Sequence, residues 1–121
     1  MNFVIRGKIK PAVRMTRRGK YVSRQALEYL ASKSAIQWQL KNQMQHNGWS
    51  MLPAGTPLSV SVVFLVPSSV GHTQDTDNLL KTTMDAAQSI VFANDLWVDH
   101  IEARRVIGDE FETWLCIRVL D

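Results

Sequence analysis

The side chains best suited to chemistry are acidic and lie in one short stretch of the chain. It holds five aspartates and a single lysine but no glutamate: Asp75, Asp77, Lys81, Asp85, Asp95 and Asp99. Asp77, Lys81 and Asp85 are spaced four apart, so a helix would place them on one face. Asp75 and Asp95 would lie near the two ends of this helix. Carboxylates that enter and leave one helix can converge on a divalent cation such as Mg²⁺, which prefers oxygen ligands.

The apolar residues of the same stretch predict the helix that positions the acids. A buried stripe at helical spacing is expected from Leu80, Met84, Ala87 and Val91. Asp77 suits the N-cap position, and we expect the helix to end near Phe92. Capping explains one aspartate, but it does not explain Asp75, Asp95 and Lys81 as well.

Each of these polar residues also has an ordinary structural explanation. Lys81 could form i,i+4 ion pairs with Asp77 and Asp85, which are worth only about 0.3–0.5 kcal/mol. For Asp85 we favour that kind of role, either as a partner of Lys81 or as a surface charge. Asp99 could join the acidic cluster or face solvent from the start of a strand. His72 lies in a predicted loop, and a loop histidine usually contacts neither metal nor DNA.

The length and composition of the chain predict one domain covering residues 1–121. With 45% apolar residues, including four Trp and four Phe, the chain has ordinary core material. Cys116 is the single cysteine and can form no intrachain disulfide, which fits a reducing cytoplasm. No apolar run approaches the roughly 20 residues that cross a bilayer. We therefore expect a cytoplasmic protein with no membrane partner.

Charge is distributed unevenly along the chain. Residues 1–74 carry ten Lys/Arg and one acid, whereas residues 75–121 carry four Lys/Arg and ten acids. The two parts thus have net charges of +9 and −6, which together give the +3 of the whole chain. Basic surface around clustered carboxylates suits a metal enzyme that acts on a polyanion.

A basic loop is predicted between the first strand and the first helix. It has seven cations within 17 residues and no acid: Lys8, Lys10, Arg14, Arg17, Arg18, Lys20 and Arg24. A phosphate-contacting arm is one interpretation, with Tyr21 available to stack on a base, and a solvated loop is the other. Solvated loops usually mix charges of both signs, so we favour the first. The residues expected to bind DNA are Lys10, Arg14, Arg17, Arg18 and Lys20.

Periodicity predicts an α+β fold, a mixed α/β layer in which a mixed β-sheet packs against two main helices. The predicted order is β-α-β-α-β-β, with the strands at residues 3–9, 58–66, 97–107 and 112–120. The first helix should run from Arg24 to about Gln45 and bury a face that includes Leu27 and Trp38. Gly108-Asp109-Glu110 suits a turn that would join the last two strands as a hairpin.

The acidic stretch resembles the RusA family of Holliday junction resolvases. The resemblance rests on the run Asp75-Thr76-Asp77-Asn78-Leu79-Leu80-Lys81, followed by Asp85 and then by Asn94-Asp95. The family's pattern is Asp-x-Asp-Asn-Leu-x-Lys, then an Asp and later an Asp-Asp pair. The N-terminal strand, the basic loop and the total length also match.

This resemblance implies a dimeric endodeoxyribonuclease of bacterial or phage origin that makes paired nicks in four-way (Holliday) DNA junctions during recombination and repair. It implies Mg²⁺ as the cofactor, with Mn²⁺ as a possible substitute, held by Asp75, Asp77 and Asp95. Lys81 matches the essential lysine, so the expected catalytic residues are these three aspartates and Lys81. Asn94 departs from the family pattern, which commonly has Asp there, and Asp99 could replace the missing carboxylate.

A homodimer would suit such a substrate, because a four-way junction is close to two-fold symmetric and needs two matched nicks. Candidate interfaces are the apolar residues of the final two strands and the Trp49-Met51-Leu52 loop. Three other functions compete with the resolvase interpretation. They are another metal-dependent nuclease acting on flap or duplex DNA, a non-catalytic DNA-binding module, and a small regulatory or structural protein with a fortuitous basic loop.

Overall fold

A computed structural model describes residues 1–12, 24–70 and 75–120, and it contains four strands and two long helices. In chain order the elements are β1 (Asn2–Arg6), α1 (Arg24–Asn47), β2 (Leu58–Pro67), α2 (Thr76–Ala87), a 3-10 turn (Asp95–Trp97), β3 (Val98–Gly108) and β4 (Glu112–Val119). The predicted order is therefore confirmed. So is the α+β class, with one mixed sheet and two main helices. Within the described residues, no helix combines the length and apolarity that crossing a membrane requires.

The strand order in the sheet is β1-β4-β2-β3, so the predicted hairpin of β3 and β4 is wrong. β2 lies between them, parallel to β3 and antiparallel to β4. Val60 of β2, for example, pairs with Ile101 on one side and with Ile117 on the other. β2 is the most apolar strand, and this insertion makes it an interior strand whose backbone bonds on both sides. The residues of the predicted turn are compatible with a hairpin, but the most apolar strand, β2, takes the interior position between β3 and β4.

The core lies between the sheet and the two helices. Its largest buried side chains on the strands are Phe3, Ile5, Leu58, Val60, Val62, Phe64, Leu115 and Ile117. The corresponding face of α1 is formed by Ile36, Leu40 and Met44, which are four apart and so lie in one row. Alternate residues of each strand point to this side of the sheet. Both helices pack here, and the other face of the sheet has no helix in the described structure.

The buried face of α1 differs from the predicted one. Leu27 and Trp38 were expected in the core but are 56% and 67% exposed. The buried residues of α1 are Ala26, Tyr29, Ile36, Leu40 and Met44. Both sets recur at helical spacing, so periodicity alone could not fix the rotation of the helix. In the observed rotation, Ile36, Leu40 and Met44 pack in the core while two glutamines of α1 bond to β1.

Gln39 and Gln43 of α1 cover the outer edge of β1 with hydrogen bonds. Gln43 accepts from the Val4 backbone N–H through Oε1 (3.0 Å) and donates to the Val4 carbonyl through Nε2 (2.7 Å). Gln39 makes the same pair of bonds with Arg6, at 2.8 Å and 3.0 Å. Each side-chain amide thus occupies the place of a peptide group on a further strand. At the opposite edge of the sheet, no strand of the described residues pairs with the outer side of β3.

The second helix is shorter than predicted and begins two residues earlier. Asp75 is its N-cap, where Asp77 was expected, and it ends at Ala87 rather than near Phe92. Ser89 has a positive φ of 69°, which turns the chain away from the helix axis. Phe92 is then buried against Leu52 in an isolated bridge. The helix therefore ends earlier than its apolar periodicity predicts, because the segment that follows turns away to bury Phe92.

Candidate active site

Three residues of α2 and one residue of the 3-10 turn supply the polar groups of a single cleft with a volume of about 340 Å³. The polar residues are Asp77, Lys81, Asp85 and Asp95, and the apolar ones are Leu80, Met84, Val98 and Ile101. Three of the four predicted catalytic residues, Asp77, Lys81 and Asp95, thus meet in space. The predicted stacking on one helix face has the expected effect, because residues 77, 81 and 85 border the same space.

Asn94 holds the turn that carries Asp95. It is the N-cap of the 3-10 turn, and its Oδ1 accepts a hydrogen bond from the Leu96 backbone N–H at 2.9 Å. Asparagine is among the residues that suit this position best. The side chain that departs from the family pattern therefore has a structural function here, which is to present Asp95 at the mouth of the cleft.

Asp99 lies at an irregularity near the beginning of β3. Val98 pairs with one residue of β2 and His100 pairs with the next, so Asp99 has no counterpart on β2. In a regular strand Val98 and Ile101 would face opposite sides of the sheet. The extra residue lets both of them line the cleft, which is a common effect of irregularities beside functional sites. Asp99 itself is exposed and does not line the cleft.

Lys81 is exposed, and no acid in the described part of the chain forms an ion pair with it. The i,i+4 pairs with Asp77 and Asp85 that would have explained Lys81 structurally are thus not formed. Asp85 instead accepts a hydrogen bond at 2.8 Å from the hydroxyl of Tyr29 on α1. Burial and then the bond and charge of Asp85 raise the pKa of Tyr29 from 10.0 to about 12.

Tyr29 was missed by sequence reasoning, although one signal was present. It lies at helical spacing from Ala26 and Ile36, on the stripe that proves to be buried. A tyrosine on a buried face usually finds a partner for its hydroxyl. The sequence did not reveal that the partner is Asp85, because these residues are 56 positions apart.

Asp75, two residues before Asp77, is not among the residues that line the cleft. It is exposed at the N-cap of α2, its carboxylate makes no capping hydrogen bond, and it does not line the space between Asp77 and Asp95. Within residues 1–12, 24–70 and 75–120, no three side chains of the types that ligate metals are grouped around one point. Of the three carboxylates that line the cleft, Asp85 is bonded to Tyr29, which leaves Asp77 and Asp95 as the metal donors. Two carboxylates suit Mg²⁺, because this ion keeps several waters and takes oxygen ligands from its substrate.

Of the predicted DNA-binding residues, Lys10 lies in the described part of the chain, and Arg14, Arg17, Arg18 and Lys20 lie outside it, as does His72. The backbone of Lys10 is fixed at both polar groups. Its N–H donates to Ser32 Oγ of α1 (3.0 Å), and its carbonyl accepts from Thr82 Oγ1 of α2 (2.9 Å). The segment that leads into the basic loop is thus attached to the helix that carries Asp77 and Lys81.

The sequence matches the family model described as Endodeoxyribonuclease RusA over residues 3–118 of 121. This range contains all four polar residues of the cleft and both helices. Among curated proteins, no sequence matches the chain. The resemblance found in the acidic stretch is confirmed by a match that extends over nearly the whole length. The chain therefore belongs to the RusA family of Holliday junction endodeoxyribonucleases, which hydrolyse phosphodiester bonds of DNA.

Proposed function

We propose that this protein is a magnesium-dependent, structure-selective endonuclease that resolves four-way DNA junctions by paired nicks in recombination and repair. The observation that carries the proposal is the cleft in which two acids, Asp77 and Asp95, lie with the exposed Lys81. Phosphodiester hydrolysis needs an activated water and neutralised phosphate charge, and this set of groups suits both needs. The same proposal assigns the protein to the cytoplasm of a bacterium, encoded by the bacterium or by a phage.

Asp77 and Asp95 would hold the Mg²⁺ ion, or Mn²⁺ in its place. When bound, the metal supplies Lewis acidity and lowers the pKa of a coordinated water. Two carboxylates with waters and phosphate oxygens form a complete shell for Mg²⁺, so the cleft needs no further protein ligand to begin binding. Asp75 is proposed as a third ligand, since it is exposed two residues before Asp77 and has no capping bond that would occupy its carboxylate.

Lys81 would act on the phosphate. Its ammonium is exposed at the cleft and has no ion-pair partner among the described acids, so it can donate to a phosphate oxygen or to the leaving oxygen. A fixed positive charge there lowers the cost of the negative charge that develops in the transition state. Because Lys81 lines the same cleft as Asp77 and Asp95, the donor lies near the carboxylates that would hold the metal.

The basic loop is proposed to bind the DNA backbone through Lys10, Arg14, Arg17, Arg18 and Lys20. The support is the attachment of Lys10 to Thr82 on α2, next to Lys81. This bond attaches the start of the basic loop to the helix that carries Asp77 and Lys81. The loop has seven cations and no acid in its sequence, although Lys10 and Arg24 pair with Glu28 of α1. Its positive charge would supply the sequence-independent attraction on which junction binding depends.

A homodimer is proposed as the active form, and the outer edge of β3 is the surface that best supports it. β3 has 11 residues and its outer edge pairs with no strand in the described structure, whereas the edge of β1 is covered by Gln39 and Gln43. If two β3 strands paired antiparallel around Ala103, Glu102 would oppose Arg104 of the partner subunit. Sedimentation of a monomer at micromolar concentration would contradict the dimer.

The test is cleavage of a labelled four-way junction, a flap and a linear duplex, each with and without Mg²⁺. We expect cleavage of the junction in preference to the others, and only with the metal. Asp95→Asn should reduce the cleavage rate by at least about 100-fold, because metal catalysis contributes several kcal/mol to transition-state stabilisation. Binding of the junction should be retained or strengthened, because the substitution removes a negative charge facing DNA.

Asp99→Asn is the matched control, since it makes the same chemical change on an exposed residue outside the cleft. It should leave the cleavage rate within about twofold of wild type, as surface substitutions usually do. Wild-type cleavage by Asp95→Asn would refute the assignment of the metal site. Equal cleavage of the junction, the flap and the duplex would instead favour the less selective metal-dependent nuclease.

A further inference from the structure

A hydrogen bond between the two helices involves an acid that lines the cleft. Tyr29 of α1 is 5% exposed, and its hydroxyl donates to Oδ2 of Asp85 on α2 at 2.8 Å. A phenylalanine would fill the same volume without bringing a polar group into the interior. The hydroxyl of Tyr29 therefore adds to its packing a hydrogen bond with a charged partner. The raised pKa of Tyr29 agrees with this burial and with the negative charge beside it.

The orientation of the Asp85 carboxylate decides whether it can form an ion pair with Lys81. The two residues are one helical turn apart, and both line the cleft. Asp77 lies one turn before Lys81, but in the proposed function its carboxylate holds the metal. Asp85 is then the acid on this helix face that could draw the ammonium of Lys81 away from the phosphate, yet the two residues form no ion pair in this structure.

Asp85 also borders a second, polar cleft, where α1 contributes Lys33 and Gln37. Its carboxylate could therefore turn toward either of two lysines. The bond from Tyr29 uses one of its oxygens and removes most of this freedom, because a carboxylate held at one oxygen keeps its rotamer. Without that bond, the carboxylate could turn toward Lys81 and form the i,i+4 ion pair that is absent from this structure, which would occupy the ammonium that the phosphate needs.

We infer, on the basis of the proposed nuclease function, that Tyr29 is a positioning residue of the active site. By holding the carboxylate of Asp85, Tyr29 keeps the ammonium of Lys81 unpaired with that residue in the cleft and available to the phosphate. This function differs from a purely structural contact between helices in one respect that can be measured. Loss of the hydroxyl should affect the rate of cleavage more than the binding of DNA or the stability of the fold.

The test is a double-mutant cycle on the full chain with Tyr29→Phe, Asp85→Asn and both together, read as single-turnover cleavage of a four-way junction in Mg²⁺. We expect Tyr29→Phe to lower the rate about tenfold, as loss of a hydrogen bond to a charged group suggests. If Tyr29 acts through Asp85, the double variant should cleave within about twofold of Asp85→Asn alone. The Kd for the junction should stay within about twofold of wild type for Tyr29→Phe, and the two variants that lack the Asp85 charge should bind at least as tightly as wild type.

Thr83→Val is the matched control, because it also removes a buried hydroxyl bond, from Thr83 Oγ1 to the Leu79 carbonyl, on the same helix. It should lower the melting temperature but leave the cleavage rate near that of wild type. Wild-type cleavage by Tyr29→Phe would overturn the inference, and so would a double variant whose loss is the product of the two single losses. A wild-type protein that cleaves no DNA would instead refute the proposed function.

Discussion

The glutamines that cover the edge of β1 should contribute measurably to stability. Replacing both, as Gln39→Ala with Gln43→Ala, removes four hydrogen bonds of 2.7–3.0 Å between α1 and the backbone of Val4 and Arg6. It leaves the buried face of α1 intact, since Ile36, Leu40 and Met44 are unchanged. The change in stability therefore reports the hydrogen bonds between α1 and the edge of β1 separately from core packing.

The expected loss follows from the exposure of these bonds. An intramolecular hydrogen bond has a net worth of about 0.5–1.5 kcal/mol, and the lower end applies here because water can solvate the freed peptide groups. Four bonds then contribute about 2 kcal/mol. Alanine restores about 0.3 kcal/mol per position through its higher helix propensity. The double variant should thus lose about 1–2 kcal/mol of unfolding free energy.

Urea denaturation followed by circular dichroism measures this loss, with Gln45→Ala as the control. Gln45 is exposed on the same helix and makes no side-chain hydrogen bond with the described residues, so its replacement reports helix propensity alone. The control should be as stable as wild type or slightly more stable. If the double variant unfolds at the same urea concentration as Gln45→Ala, the edge bonds contribute nothing and the reasoning is refuted.

Two further predictions concern the attachment and the charge of the basic loop. Thr82→Val removes the bond that joins α2 to the Lys10 carbonyl and should lower the unfolding free energy by about 1–2 kcal/mol in the same denaturation assay; an unchanged midpoint would show that this bond is dispensable. Replacing Arg17 and Arg18 with Ala should weaken junction binding and flatten the plot of log K against log salt by about 0.9 for each phosphate that the variant no longer neutralises; an unchanged slope would show that the loop does not bind phosphate.

The residues of α2 show what the sequence could predict. Asp77, Lys81 and Asp85 share a face because the helix repeat is local, and a local repeat can be read without knowing the fold. Asp95 could be added because the helix and the turn that follows it are close in sequence. The same reasoning predicted the element order, since each strand and helix has its own apolar pattern.

Sequence reasoning was wrong where distant residues decide the outcome. The pairing of β4 with β1 and β2, rather than with β3, depends on which strand takes an interior position with a neighbour at each edge. The rotation of α1 depends on which of its two apolar stripes packs against the sheet, and the end of α2 depends on the packing of Phe92. None of these interactions follows from local propensity, and Tyr29 was missed for the same reason.

The position of β4 has a consequence for how the protein is made. β4 is the last strand along the chain, yet it lies between β1 and β2 and pairs with both. During synthesis the apolar strand β2 therefore lacks one of its two neighbours until residues 112–119 have left the ribosome. Closure of the sheet joins residues more than a hundred positions apart, such as Phe3 and Leu115, so it should be slow and should follow the emergence of β4. A chain that stalls before β4 leaves β2 open to aggregation and to capture by chaperones.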